Sequence, residues 1–248
     1  MYSQDFYERR QVAKEMAAEL VLDRLLPVVP TVRTAVDVGC GVGTWLAALE
    51  ARGVDVTGFD GPWVDARRLR IDADRFRRAD LVQPLPLMRR CDLAISLEVA
   101  EHLPETAALT FVDNLTRLSD VVLFSAAIPG QGGTGHVNEQ WPDYWAVRFD
   151  AKGYALADVL RTPLWNDERI PYWYRQNTFV YVARSALPRV APALRDAITQ
   201  GPQLPLRAVH PCLFDEKRRG FSGLVGDRLR ETRRAVMQTL EARWDAAT

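Results

Sequence analysis

Apolar residues recur at helical spacing near the start of the chain, at Val12, Met16, Leu20, Leu25 and Leu26, until Pro27 and Pro30 interrupt them. This pattern predicts an amphipathic helix from Gln4 to about Val28. Past Pro30 the apolar positions gather into short, nearly continuous runs: "TAVDVG", "VDVTGFD", "CDLAISLEV" and "DVVLFSAAI". Helix-like stretches begin between them at Thr44, near Pro62 and at about His102. Apolar strands interleaved with helices are those of a parallel sheet covered on both faces, so the expected class is α/β, doubly wound and Rossmann-like. Farther on, "QWPDYWAVRFDAKGY" reads as a helix ending at Gly153, "ALADVL" as a strand and "NTFVYVAR" as a last strand. With no clear helix between these two, the last strand is expected to pair antiparallel beside its predecessor. A weak candidate near Arg78 brings the sheet to seven strands.

From Ser185 the chain changes character. Pro188, Pro192, Pro202, Pro205 and Pro211 break it up, and "LVGDRLRETRRAVMQTLEARW" follows with Leu229, Val236 and Leu240 on one helical face. That face either packs on its own domain or forms a homodimer contact. The expected division is an N-terminal helix at 1–30, a ligand-binding domain at 31–184 and a helical C-terminal extension at 185–248.

The 248 residues, 48% of them hydrophobic, suit an ordinary globular core. The 32 basic and 32 acidic side chains cancel, so no overall field attracts a polyanion and no nucleic-acid partner is expected. The arginines at 67, 68, 70, 75, 77 and 78 have acids among them and read as solvated surface. Cys40, Cys91 and Cys212 are far apart and form no CxxC pair, which suggests neither a disulfide framework nor a zinc site. The amino terminus is charged where a signal peptide is apolar, and no run approaches the ~18 apolar residues of a membrane span. A cytoplasmic protein without a membrane partner is the expectation.

The strongest chemical signal is "AVDVGCGVGTW", with Gly39, Gly41 and Gly43 between a strand and a helix. Glycine is costly within such elements and useful where a ligand must approach the backbone. A dinucleotide fingerprint places its third glycine where Thr44 stands and keeps an apolar residue where Asp37 stands. S-adenosylmethionine carries a cationic amino group and a sulfonium but no phosphates, so an acid beside the turn favours it.

"VDVGCGVGTW" resembles motif I of the class I S-adenosylmethionine-dependent methyltransferases, and the downstream elements match in order over roughly residues 34–184. The resemblance implies that Asp60, closing "VTGFD", takes both ribose hydroxyls. It implies that Asp80 in "ADLVQ" contacts the adenine amino group, with Asp37, Gly39, Gly41, Gly43, Leu81 and Glu98 completing the cofactor site. The segment "CDLAISLEVAEHLPE" is similar to the Glu-x-x-Glu-His stretch of ubiquinone-pathway-like O-methyltransferases, with Glu98, Glu101 and His102 at those positions.

Methyl transfer requires an aligned acceptor, and a hydroxyl acceptor must also lose its proton. Of the 3 histidines in the chain, His102 and His136 fall at the ends of the fourth and fifth strands. Unperturbed imidazole titrates near ~6.5, suited to a base at neutral pH. His136 lies in the glycine-rich "AAIPGQGGTGHVNEQWPDYW" and is the preferred base; Glu101 and His102 are further catalytic candidates, although a Glu-His pair also serves simply to cap a helix. Glu101, His102, His136 and Glu139 are also potential metal ligands. No metal is expected, because adjacent helical residues such as Glu101 and His102 point to different sides. Trp141, Tyr144, Trp145, Trp165, Tyr172, Trp173 and Tyr174 either wall an acceptor pocket or belong to the core, and "RIPYWYRQN" is the stretch expected to reach the acceptor.

The sequence thus points to S-adenosylmethionine-dependent methylation of a small molecule, at oxygen of a sugar or secondary metabolite. N-methylation of a small amine and a non-catalytic S-adenosylmethionine-binding subunit are the alternatives. An RNA methyltransferase is disfavoured by the charge balance and by "SLEV" standing where an Asn-Pro-Pro-Tyr-like motif is required.

Overall fold

In the computed structural model, residues 4–86 and 88–219 are described, the first seven of these by backbone alone. The expected helix at the amino terminus is α1 (Gln4–Leu25). Its buried face follows the expected stripe only in the second half: Leu25 is buried and Leu20 and Leu26 pack against the core, together with the buried Ala17, Ala18, Val21 and Leu22, whereas Val12 and Met16 are exposed. Two apolar stripes compete on this helix, and the one bearing alanines allows closer packing.

The apolar runs form one seven-stranded sheet in the order β3-β2-β1-β4-β5-β7-β6. Its elements, in chain order, are β1 (Thr34–Val38), α2 (Thr44–Glu50), β2 (Asp55–Asp60), β3 (Phe76–Arg78), β4 (Leu93–Leu97), α3 (Ala108–Leu118) and β5 (Val121–Ser125). There follow α4 (Pro142–Ala151), β6 (Tyr154–Ala157), α5 (Arg161–Leu164), α6 (Tyr172–Asn177), β7 (Phe179–Ala183) and α7 (Pro192–Gln200). Strands β1 to β5 pair in parallel, and β7 runs antiparallel to both β5 and β6. Every residue of β4, β5 and β7 is buried, as strands covered on both faces must be. The short outer strand β3 carries arginines at its exposed positions, which discourages pairing with another chain. Phe149 stacks on Tyr181 with ring centroids 3.8 Å apart, and Phe124 meets both edge-on.

Three expectations change. No α-helix follows Pro62. Two 3-10 turns, Ala66–Arg68 and Ala73–Arg75, lead into β3 instead, because this arginine-rich stretch offers the core only isolated apolar residues such as Val64 and Ile71. The helix expected at about His102 starts later, after the 3-10 turns Ala100–His102 and Glu105–Ala107, which Pro104 separates. The strand in "ALADVL" stops at Ala157, because the Asp158 carboxylate turns inward to take the buried Arg161 guanidinium at 2.6–3.0 Å.

Residues 1–208 make one compact unit and 209–248 another. The helical face with Leu229, Val236 and Leu240 lies outside the described residues.

Candidate active site

The turn after β1 is built from three glycines that do different work. All are left-handed, with φ of 90°, 56° and 82° at Gly39, Gly41 and Gly43, a region costly for other residues. A methyl group on Gly39 would lie 2.4 Å from Val99, and one on Gly43 would lie 3.0 Å from Ile71, so both close up against packed side chains. Gly41 alone faces space. An added Cβ there meets only the Lys14 Nζ of α1, at 3.8 Å. The turn is tied to the end of β2 by Asp60, whose two carboxylate oxygens accept the amides of Gly41 and Gly61 at 2.6 Å. Asp37 lies buried in β1 beside this turn. Burial pushes its carboxyl up to about 7; the charge of Lys14 opposes the rise and that of Asp60 adds to it. The Ala79 amide donates to the Asp60 carbonyl at 2.9 Å, which puts Asp80 and Leu81 next to the same strand end. Leu81 is buried, while the exposed Asp80 accepts the Val82 amide at 3.1 Å.

A second group of side chains gathers beyond β4 and β5. Glu98 is the one non-glycine residue with positive φ, 56°, among the described residues. Strained backbone of this kind persists only where its surroundings hold it. Here the Glu98 amide donates to both the carbonyl and the hydroxyl of Ser125, at 3.0 and 3.1 Å. Its carboxylate accepts from Gln131 at 2.7 Å and Asn177 at 3.2 Å, and Asn177 also donates to Gln131 at 2.8 Å. Burial pushes the Glu98 carboxyl up, against these hydrogen bonds. Asn177, the last residue of "RIPYWYRQN", is buried and brings that stretch into contact with Glu98.

Three residues after Glu98, Glu101 is fully buried, and neither carboxyl oxygen has a hydrogen-bond partner of normal geometry. Burial, with Glu98 adding to it, pushes this carboxyl up to about 9; the nearby Glu101 and Ala127 amides oppose the rise. The loop from Ile128 to Gln140 closes over it: the Val137 and Asn138 amides donate to the Glu101 carbonyl at 2.8 and 3.0 Å. Within the loop the Glu139 carboxylate receives the amides of Gly130 and Gly132 and holds His136 Nδ1 at 2.8 Å. These bonds, working against burial, keep Glu139 below the usual carboxylate range. His136 Nε2 is left 4.0 Å from Glu101 Oε1. A methyl group on Gly133 would lie 2.2 Å from that nitrogen, so glycine at 133 makes room for the ring. His102, whose Nδ1 lies 3.3 Å from the Gly135 carbonyl, meets His136 edge to face at 4.8 Å. Partial burial and the neighbouring His136 hold His102 below the usual imidazole range, while the Gly135 carbonyl and the charge of Asp60 oppose the drop.

Glu101 and His102 thus do not diverge as neighbours on a helix would. They occupy one 3-10 turn, and ligand atoms of Glu101, His102 and His136 all lie within 4.8 Å of one another. Of the aromatic candidates, Trp145 and Tyr174 are core side chains, and Trp141, Tyr144, Trp165, Tyr172 and Trp173 are half-buried. Gln131 and Lys14 carry no sequence signal of their own, and Asn177 is marked only as the end of "RIPYWYRQN". Gln131 lay within the singled-out glycine loop, and Lys14 is one of only three lysines in the chain.

A family model described as a methyltransferase domain matches residues 8–154. No curated protein matches. Among solved structures, the chain is similar to a TehB-like S-adenosylmethionine-dependent methyltransferase from Corynebacterium glutamicum, at 19% identity and a TM-score of 0.50 over 73% of this chain and 97% of that one. It is similar to Streptomyces venezuelae DesVI at 16% identity and a TM-score of 0.51, covering 71% and 94%. It also resembles a chain from the complex between the Haloferax volcanii Trm112 methyltransferase activator and a methyltransferase, at 18% identity and a TM-score of 0.53, covering 73% and 94%.

Proposed function

Because the chain belongs to the family of methyltransferase domains, whose methyl donor is S-adenosylmethionine, we propose that it transfers that methyl group to a hydroxyl oxygen of a small molecule. The observation that carries the acceptor side of this reading is the paired His136 and Glu139 in a loop closed over Glu101. A carboxylate that fixes one imidazole nitrogen leaves the other oriented to take a proton. In this reading the donor's methionine portion crosses Gly41, where the backbone is uncovered, and its ammonium lies near Asp37. Asp60 receives the ribose hydroxyls, with Asp80 and Leu81 toward the adenine. Glu98, fixed by Gln131 and Asn177, borders the space between donor and acceptor.

The acceptor's O–H proton passes to His136 Nε2 as its oxygen forms a bond to the methyl carbon. The S–CH3 bond breaks, its electron pair staying on sulfur, which turns a sulfonium into a neutral thioether. The balanced net charge of the chain supports a small acceptor over a nucleic acid. The test is transfer of labelled methyl from the donor to a fractionated metabolite pool, followed by the same assay on His136→Ala. Loss of a positioned base costs about 10² to 10⁴ in rate, with donor affinity, measured by calorimetry, unchanged. Full turnover by His136→Ala removes the base assignment, and a methylated amine as product replaces oxygen with nitrogen.

A further inference from the structure

The three side chains Glu101, His102 and His136 have more in common than nearness. Each histidine has its Nδ1 engaged on the outer side, His102 with the Gly135 carbonyl and His136 with the Glu139 carboxylate. Metal-binding histidines are held in this way: a carbonyl or carboxylate takes the proton of one ring nitrogen and aims the other at the ion. The third member, Glu101, is a fully buried carboxyl group whose oxygens have no hydrogen-bond partner of normal geometry, an arrangement that burial alone does not favour. One ligand atom from each lies within 4.8 Å of the others. Bonds of about 2.0–2.2 Å to an ion need separations of roughly 3–4 Å, which small side-chain rotations supply. Glu139, bonded to His136, places a negative charge beside the cluster. His102 is exposed, which leaves the cluster open to solvent.

We propose that Glu101, His102 and His136 form a binding site for a divalent first-row transition metal, whose open positions take the oxygen of the methyl acceptor. Two imidazoles and one carboxylate suit zinc, cobalt or iron(II) better than magnesium or calcium, which prefer all-oxygen sites. This inference rests on the O-methylation reading for its role and changes one step of it. With the ion bound, His136 is a ligand instead of a free base, and the ion acidifies the acceptor hydroxyl, as zinc does for water. The O–H proton then leaves to solvent, the oxygen's electron pair forms the bond to carbon, and the S–C pair stays on sulfur.

The experiment titrates Co2+ into the chelator-treated full-length chain, with the visible absorption of the ion and calorimetry as readouts and S-adenosylmethionine binding measured on the same sample. One equivalent of cobalt with nitrogen and oxygen ligation is expected. His102→Ala and Glu101→Gln should each weaken it at least roughly tenfold, the scale on which even the outer partners of metal ligands act. Glu101→Gln keeps the side chain's size, so it stays informative should His102→Ala misfold. Binding that survives both substitutions, that shows thiolate charge-transfer bands, or that is absent overturns the site. Donor binding without cobalt binding leaves the methyltransferase reading intact. Cobalt binding without donor binding does the reverse.

Discussion

Asp37 is a carboxyl group placed where ionisation is costly, and that cost has a sign that can be checked. Its pKa of about 7 in the fold lies above the 3.8 of the unfolded chain. Below about pH 4 the group is neutral in both states and carries no penalty. As the pH rises toward 7 the unfolded chain ionises and the fold resists, so stability falls by up to about 4 kcal/mol and stays low above 7. Asp37→Asn removes the penalty. Denaturation midpoints should show the variant more stable than the parent at pH 8 and equal to it at pH 3.5. The donor reverses the ranking, because its ammonium favours the ionised carboxylate. The parent's affinity for S-adenosylmethionine should therefore strengthen as the pH passes through about 7, whereas the variant binds more weakly and without that dependence. Equal affinities at pH 8 would take Asp37 out of the donor site.

At the scale of elements, the turn after β1 meets the segment after β4 at Val99, which packs on Gly39 two residues before Glu101. The glycines of the turn are therefore separable by substitution. Gly39→Val drives a branched side chain into Val99 and should lower the melting temperature sharply. Gly41→Val meets no packed neighbour; its left-handed φ costs about 1–2 kcal/mol, and the variant should fold yet fail to bind donor in calorimetry. Normal binding by Gly41→Val would mean the ligand passes elsewhere. The strands and the glycine turn were legible because continuous apolar runs and glycine spacing are local signals. The contact of Asn177 with Glu98 was not, because 79 residues separate them and a buried amide leaves no periodic trace. Reading helical divergence into Glu101 and His102 failed for a related reason: Pro104 cuts the segment into separate turns, and the chain there never becomes the helix on which that argument depends. On α1, apolar spacing identified the helix and its packed end at Leu20, Leu25 and Leu26, but it also marked the exposed Val12 and Met16 and passed over Ala17 and Ala18, since alanine counts little in a pattern and much in close packing.

For the whole molecule, a ligand that binds only the folded state must raise its stability. Donor at 100 times its dissociation constant adds about 2.7 kcal/mol, which for a chain of this size is a melting shift of roughly 5–10 °C. A thermal melt with S-adenosylmethionine or its demethylated product reads it directly, and a shift with NAD in place of either would point to a dehydrogenase. The same sheet that carries the site also dictates when it can exist. Because β7 is the last strand among the described residues yet lies between β5 and β6, a nascent polypeptide leaving the ribosome holds two unpaired strand edges until residues 179–183 emerge. Asn177 immediately precedes that strand, so the Glu98 cluster is completed only as the gap is filled. During translation the chain thus has its glycine turn long before Asn177 can reach Glu98, and it passes through a stage in which sticky strand edges, rather than chemistry, are its most reactive feature.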